Sequence, residues 1–202
     1  MIFSRQRREF EKLFATLDRR YYPEKLKKVF YKDYLSFLYL LEKSFKNTDG
    51  KVLAIGATST LEQYAIKKVM PRSELHVLDE KTYDFSDFVD LFLNMDLHAF
   101  RAKGVYDHII ARHFPINQQN SEQLFQLAKK NGFVFATFYY QHEFHEFLRK
   151  ASGFEITARG KNRKAFEIKN RQQILGTPII MNDDSVETEI SKRDKYVGLV
   201  KI

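Results

Sequence analysis

Two apolar spacings alternate along the chain, and the switches between them mark its elements. Phe10, Leu13, Phe14 and Leu17 recur at helical intervals, Pro23 interrupts, and a longer stripe then runs through Leu26, Phe30, Tyr34, Phe37, Leu38, Leu41 and Phe45. Asn47-Thr48-Asp49-Gly50 is turn chemistry. Short unbroken apolar runs follow, separated by helical patterns. Val52 to Ile55 reads as a strand buried on both faces and stops at Gly56, where the backbone is free to turn sharply. Ser59 and Glu62 make a capping box, which predicts a helix from Thr60 or Leu61 until Pro71 forbids it. Leu75 to Leu78 is a second strand and ends in Asp79.

After Asp79, Phe85, Phe88, Val89, Phe92 and Leu93 fit a helix that Asp84 or Ser86 caps, leaving room for only a very short strand around Asp96 to Ala99. Val105 to Ala111 is the next strand and delivers Arg112, His113, Phe114 and Pro115 into a loop. A helix through Leu124, Leu127 and Ala128 has Asn131-Gly132 as its C-cap signal. Phe133 to Tyr139 then reads as strand, Phe144 to Ala151 as helix closed by Gly153, and Phe154 to Ala158 and Tyr196 to Ile202 as two last strands. The basic, polar stretch between those two includes Arg159 to Lys164 and has the pattern of a hairpin at Phe166 to Ile168 and Ile179 to Met181.

Alternating strand and helix implies an α/β fold, a doubly wound and mostly parallel sheet over residues 48–202, with a helical N-terminal appendage over 1–47. In such sheets ligands sit outside the carboxyl ends of the strands. That rule puts Gly56, Asp79, Arg112, His113, Tyr139 and Tyr140 on one rim. The separation from Gly56 to Asp79 is close to the ~20 residues between the glycine loop and the ribose-binding acid of a nucleotide-binding βαβ unit.

Composition removes some chemistry. With 44% hydrophobic and 30% charged residues the chain has the balance of a globular protein, not a disordered one. Having no cysteine, it cannot use disulfides, thiolate metal sites or a cysteine nucleophile. The first residues turn charged too soon for a signal peptide and no apolar run has the length a bilayer needs, so the expectation is a cytoplasmic protein with no membrane contact. The 34 basic against 26 acidic residues give +8, which admits an anionic partner such as RNA and equally a plain solubility role. Much of that charge lies on the polar faces of the first two helices, in Arg5, Arg7, Arg8, Lys12, Arg19, Arg20, Lys25, Lys27, Lys28 and Lys32. His142 and His145 with Glu143 and Glu146 follow the order H-E-x-H-E, not the H-E-x-x-H of zinc hydrolases, so no metal site is assigned.

The succession VLAIG, ELHVLD, YDHIIA, LAKKNGFVFATF, LRKASGFEI and a terminal YVGLVKI resembles the class I S-adenosylmethionine-dependent methyltransferases, from about Gly50 to Ala158 plus the last strand. Tyr106-Asp107 stands where that family often opens its fourth strand, Lys130-Asn131-Gly132 for its turn before the fifth, and Ser152-Gly153-Phe154 for its "x-G-F" before the sixth. The resemblance implies S-adenosylmethionine as cofactor, held by Gly56, Ala57, Thr58, Asp79, Glu80, Asp96 and Arg112, with Arg112, His113 and Tyr139 orienting an acceptor. One departure stands out: Ala54 takes the place of the family's loop acid, and Thr58 and Thr60 take the places of its later glycines.

The residues therefore leave two classes open, a methyltransferase of unknown acceptor and a catalytically inactive protein of the same fold that binds RNA or a protein partner. A third, a nicotinamide-dependent reductase, rests on the Gly-Ala-Thr loop, which is similar to that of short-chain dehydrogenases. Its glycine pattern fails at Ser59 and Glu62, and its Tyr64 and Lys68 fall inside the helix after the loop, away from a nicotinamide.

Overall fold

The computed structural model describes residues 2–45, 48–56, 59–80, 87–115, 117–151, 155–159 and 196–202. The helices are α1 (Ile2–Thr16), α2 (Lys27–Phe45), α3 (Thr60–Val69), α4 (Gln118–Leu127) and α5 (Gln141–Lys150). The strands are β1 (Lys51–Ile55), β2 (Glu74–Asp79), β3 (Leu91–Asn94), β4 (Tyr106–Arg112), β5 (Ala128–Phe138), β6 (Glu155–Arg159) and β7 (Tyr196–Lys201). Among the described residues they form one sheet in the order β3-β2-β1-β4-β5-β7-β6. All neighbours run parallel except β7, which is antiparallel to both β5 and β6.

Alternation along each strand splits the core into two layers. Val52 and Ala54 of β1, Ile110 of β4 and Phe135 of β5 face a cluster built with α1, α2 and α3, among them Phe10, Phe14, Phe37, Leu41, Phe45 and Ile66. Leu53, Ile55, Ile109, Val134 and Ala136 face the other way, against Leu124, Leu127, Phe144 and Phe147 of α4 and α5. Strands covered on both faces have no polar side to show, which is why they read as unbroken apolar runs. The N-terminal helices share this core: Phe45 of α2 packs on Phe135 at 5.7 Å and on His108 at 5.2 Å, and Phe37 lies 6.5 Å from Phe135.

Two local expectations are corrected. Phe92 and Leu93 belong to strand β3, paired to β2 through Val77 and Leu78, and not to a helix. Phe92 packs into one layer and Leu93 into the other, so the pair carries a strand's alternation, which five scattered apolar positions disguised as a helical stripe. The expected strand at Asp96 to Ala99 is a 3₁₀ turn, Leu97–Ala99, whose N-cap is Asp96. Phe85 and the proposed caps Asp84 and Ser86 lie outside the described residues.

Asn131-Gly132 does not cap α4, which ends at Leu127 and passes directly into β5. Pairing with β4 steps from Tyr106↔Ala128 to His108↔Phe133, and the surplus residues of β5 bulge out between those pairs. Asn131 takes φ 68° there, and a Cβ on Gly132 would stand 2.8 Å from the Asp107 carbonyl oxygen. Helix end and bulge call for the same residues, so sequence alone does not separate them. Gly153, the expected hairpin and most of the Arg159 to Lys164 stretch lie outside the described residues.

Candidate functional site

Because β1, β2, β3, β4 and β5 are parallel, their carboxyl ends form one edge. Gly56 follows β1, Asp79 ends β2, Asn94 ends β3, Arg112 ends β4, and Tyr139 and Tyr140 follow β5. Gly56 sits at φ 70°, and a Cβ there would come 2.6 Å from the Arg112 carbonyl oxygen and 3.4 Å from Phe114 Cβ. Glycine is thus required by the close passage of two strand ends, whatever ligand lies above them. Ala57 and Thr58 lie outside the described residues.

The start of α3 is sealed by the protein's own groups. Glu62 N–H donates to Ser59 Oγ at 3.3 Å, while Glu62 Oε2 accepts from Ser59 N–H at 3.1 Å and from its hydroxyl at 2.7 Å. Thr60 N–H donates to the Tyr22 hydroxyl at 3.1 Å, a contact spanning 38 positions of sequence. Burial raises the pKa of that Tyr22 hydroxyl. A helix N-terminus binds phosphate through open N–H groups and a favourable dipole; here the N–H groups of Thr60, Glu62 and Gln63 are engaged and a carboxylate stands beside them. The geometry therefore disfavours a pyrophosphate at this point.

Arg112, expected on the rim, turns inward. Its side chain is 3% exposed, pairs with Glu62 Oε1, lies over the Phe37 ring at 4.6 Å and donates to the Asp33 carbonyl at 3.4 Å. It ties β4 to α2 and α3 just beneath the rim and points its guanidinium into the core. Ala54 points into this same layer and is fully buried.

Acidic and amide groups gather at the β2 and β3 ends. Asp79 is half-buried, level with Asn94, and Asn94 Nδ2 donates to the Glu80 carbonyl at 3.3 Å. Asp96 is held below the usual carboxylate range, first by the His98 backbone N–H and then by a hydrogen bond with Glu80. At the β4 and β5 ends, His113 takes φ 51°, a conformation an L side chain seldom adopts, and its N–H donates to the Thr137 carbonyl at 3.3 Å. Tyr139 is 41% exposed and Tyr140 is 55% exposed.

Sequence reasoning placed Gly56 and Asp79 at strand ends, where the structure has them, and missed the Tyr22 contact and the inward course of Arg112. No local signal marks a hydroxyl that caps a helix 38 positions away. Tyr64 lies in α3 against Tyr34 and Phe88, and Lys68 pairs with Glu9 of α1, so the reductase pair is spent on packing. His142 and His145 are exposed on α5, where the His145 ring meets the Gln141 side chain at 3.0 Å. Among the described residues no three metal-ligating side chains converge, and no helix is long and apolar enough to cross a membrane. A cavity of about 420 Å³ beside Phe125, Ala128 and Lys150 opens at the start of β5, at the opposite edge of the sheet.

No protein-family model matches the chain, and no curated protein matches it in sequence. Its fold is nonetheless shared with solved methyltransferases. The plantazolicin methyltransferase in complex with SAH superposes with a TM-score of 0.53 at 13% identity, over 97% of this chain and 98% of that one. A SAM-dependent O-methyltransferase from Thermotoga maritima gives 0.52 at 12%, over 83% of this chain and 63% of that one. The tRNA methyltransferase TrmI from Aquifex aeolicus gives 0.50 at 11%, over 84% and 68%. The chain has the Rossmann-like fold of the class I methyltransferases.

Proposed function

We propose that this protein is a methyltransferase that holds S-adenosylmethionine along the carboxyl rim between Gly56 and Asp96. The observation that carries the reading is the charge character of that rim, with a sealed helix N-terminus and carboxylates at the β2 and β3 ends. A ribose-binding acid after β2 serves a dinucleotide as well, but its pyrophosphate needs an open helix N-terminus, whereas a cofactor with a ribose diol, an ammonium and a sulfonium needs none and suits acceptors and negative charge. Asp79, half-buried at the end of β2, is set to accept both ribose hydroxyls. Asp96, one strand further out, and Glu80, which follows Asp79 and is hydrogen-bonded to Asp96, stand where an adenine amine would donate.

When bound, the cofactor would supply an electrophilic methyl carbon for an acceptor lone pair, with sulfur as the leaving group keeping the electrons of the carbon–sulfur bond. The protein's part is chiefly alignment. His113 and Tyr139, on adjoining strand ends, orient the acceptor, and His113 takes a proton where the acceptor must lose one. Arg112 and Glu62 fix Ser59 and the start of α3 beside the cofactor. Ala54 replaces the acid that usually organises this loop, and the Ser59–Glu62–Arg112 cluster does that work from beneath.

Calorimetric titration of S-adenosylmethionine tests the reading. We expect saturable binding that weakens about tenfold or more in Asp79→Ala, the loss of hydrogen bonds to a charged group. Absence of heat at millimolar ligand, or saturable binding of a nicotinamide dinucleotide in its place, overturns it.

A further inference from the structure

Tyr139 and Tyr140 are in the wrong place for residues whose task is stability. The chain leaves the core at Phe138, which is buried, and the next two side chains stand out at 41% and 55% exposure. Their rings meet edge to face at 4.8 Å, and the His142 ring stacks on Tyr140 at 5.5 Å with 26° between planes. Tyr140 is also the N-cap of α5, and its side chain makes no capping hydrogen bond. A Ser, Asp or Asn there would cap the helix better. An exposed aromatic cluster, with His142 backing one face of Tyr140, thus stands at a strand end, at a position where folding favours a small polar residue.

Its surroundings point to an anion. Strand order places the end of β5 two interstrand spacings from Gly56, about 10 Å. Tyr22 touches Thr60 and Asp33 touches Arg112, so the segment between them, which opens α2, borders the same carboxyl edge on the opposite face from α5. That segment carries Lys25 and Lys28, both exposed and with no ion pair among the described residues. Arg19, Arg20 and Lys27 nearby are paired to Glu24, Asp18 and Glu11. A chain crossing the rim from Lys25 and Lys28 to Tyr140 would meet unpaired positive charge first and aromatic faces second, over the methyl-donor site.

We infer that Tyr139 and Tyr140 are a stacking platform for an unpaired base of single-stranded RNA, whose phosphates are held by Lys25 and Lys28. Aromatic faces accept any base, and lysines contact the backbone, so this surface binds an exposed strand with little sequence preference. A duplex keeps its bases stacked inside and has nothing to offer the tyrosines. The inference rests on the reading of the rim as a methyl-transfer site only for the fate of the base, not for the binding itself.

Fluorescence anisotropy of a short, labelled, mixed-sequence single-stranded RNA tests it, with S-adenosylmethionine titrated into every variant in parallel. We expect Tyr140→Ala to bind the strand about tenfold more weakly, Tyr140→Phe to match wild type, and both to keep cofactor binding. Lys25→Ala and Lys28→Ala should each lower the slope of log affinity against log salt by about 0.7. Duplex RNA should bind more weakly than the single strand. Equal affinity of Tyr140→Ala and wild type, a Tyr140→Phe variant as weak as Tyr140→Ala, duplex binding as tight as single strand, or no binding at low salt each overturns the platform. RNA binding with this dependence but no cofactor binding supports the platform and refutes methyl transfer.

Discussion

Replacing Arg112 tests how far the buried ion pair beneath the rim holds β4, α2 and α3 together. Arg112 is 3% exposed and Glu62, its partner, 13% exposed. Arg112→Met removes the guanidinium, fills much of its volume and leaves the Glu62 carboxylate in the core without a counter-charge. Breaking one side of such a pair costs about 3–5 kcal/mol. Contact with the Phe37 face adds about 1 kcal/mol, and partial rehydration of Glu62 offsets a similar amount. The expected net loss is about 4 kcal/mol, which for a chain of this size lowers Tm by about 8–16 °C. Glu62→Gln alone should also be destabilising, because it strands Arg112. The double variant Arg112→Met, Glu62→Gln strands neither charge, and Gln still completes the capping box with Ser59. It should lie within about 2 kcal/mol of wild type, giving a large coupling in a double-mutant cycle. Urea unfolding of the four proteins measures this. An Arg112→Met protein as stable as wild type, or a double variant no better than the sum of the singles, refutes the account.

Two further perturbations probe packing and protonation. A Cβ at Gly198 of β7 would stand 2.6 Å from Phe147 Cε1 of α5, so Gly198→Ala should cost about 1–3 kcal/mol, and the loss should shrink when Phe147→Leu is added. Equal urea midpoints for Gly198→Ala and wild type would show that α5 gives way freely. His108 is buried against Phe45 and Phe133, and desolvation lowers its pKa below the ordinary histidine value. The unfolded chain then takes up the proton first, so the stabilisation from neutral His108 is full above about pH 6.5 and is lost as pH falls through the folded value. Stability measured from pH 7 down to pH 5 should fall less steeply in His108→Gln than in wild type; parallel slopes refute it.

Tertiary contacts explain where local reading failed. Phe92 and Leu93 satisfied a helical stripe because a strand so short presents too few positions for its alternation to show, and pairing to β2 decided the matter. Asn131 and Gly132 carry the positive φ and the missing Cβ that a helix end and a bulge both need. The pattern of Arg112 after a buried strand read as a rim residue, yet its direction depends on Glu62, Phe37 and Asp33, which come from elements distant in sequence.

Local pattern was sufficient for the order of elements apart from β3 and the turn after it, for the capping box at Ser59 and Glu62, and for the placing of Gly56 and Asp79 at strand ends, because each is fixed by interactions within a few residues. From that order follows the methyltransferase-type sheet. Only the folded chain decided which groups occupy the start of α3, since Tyr22 reaches Thr60 from another element, and only it turned Arg112 away from the rim and left Tyr140 standing on it. Direction and exposure of a side chain are properties of its neighbours in space, and the charge character of the site is built from them.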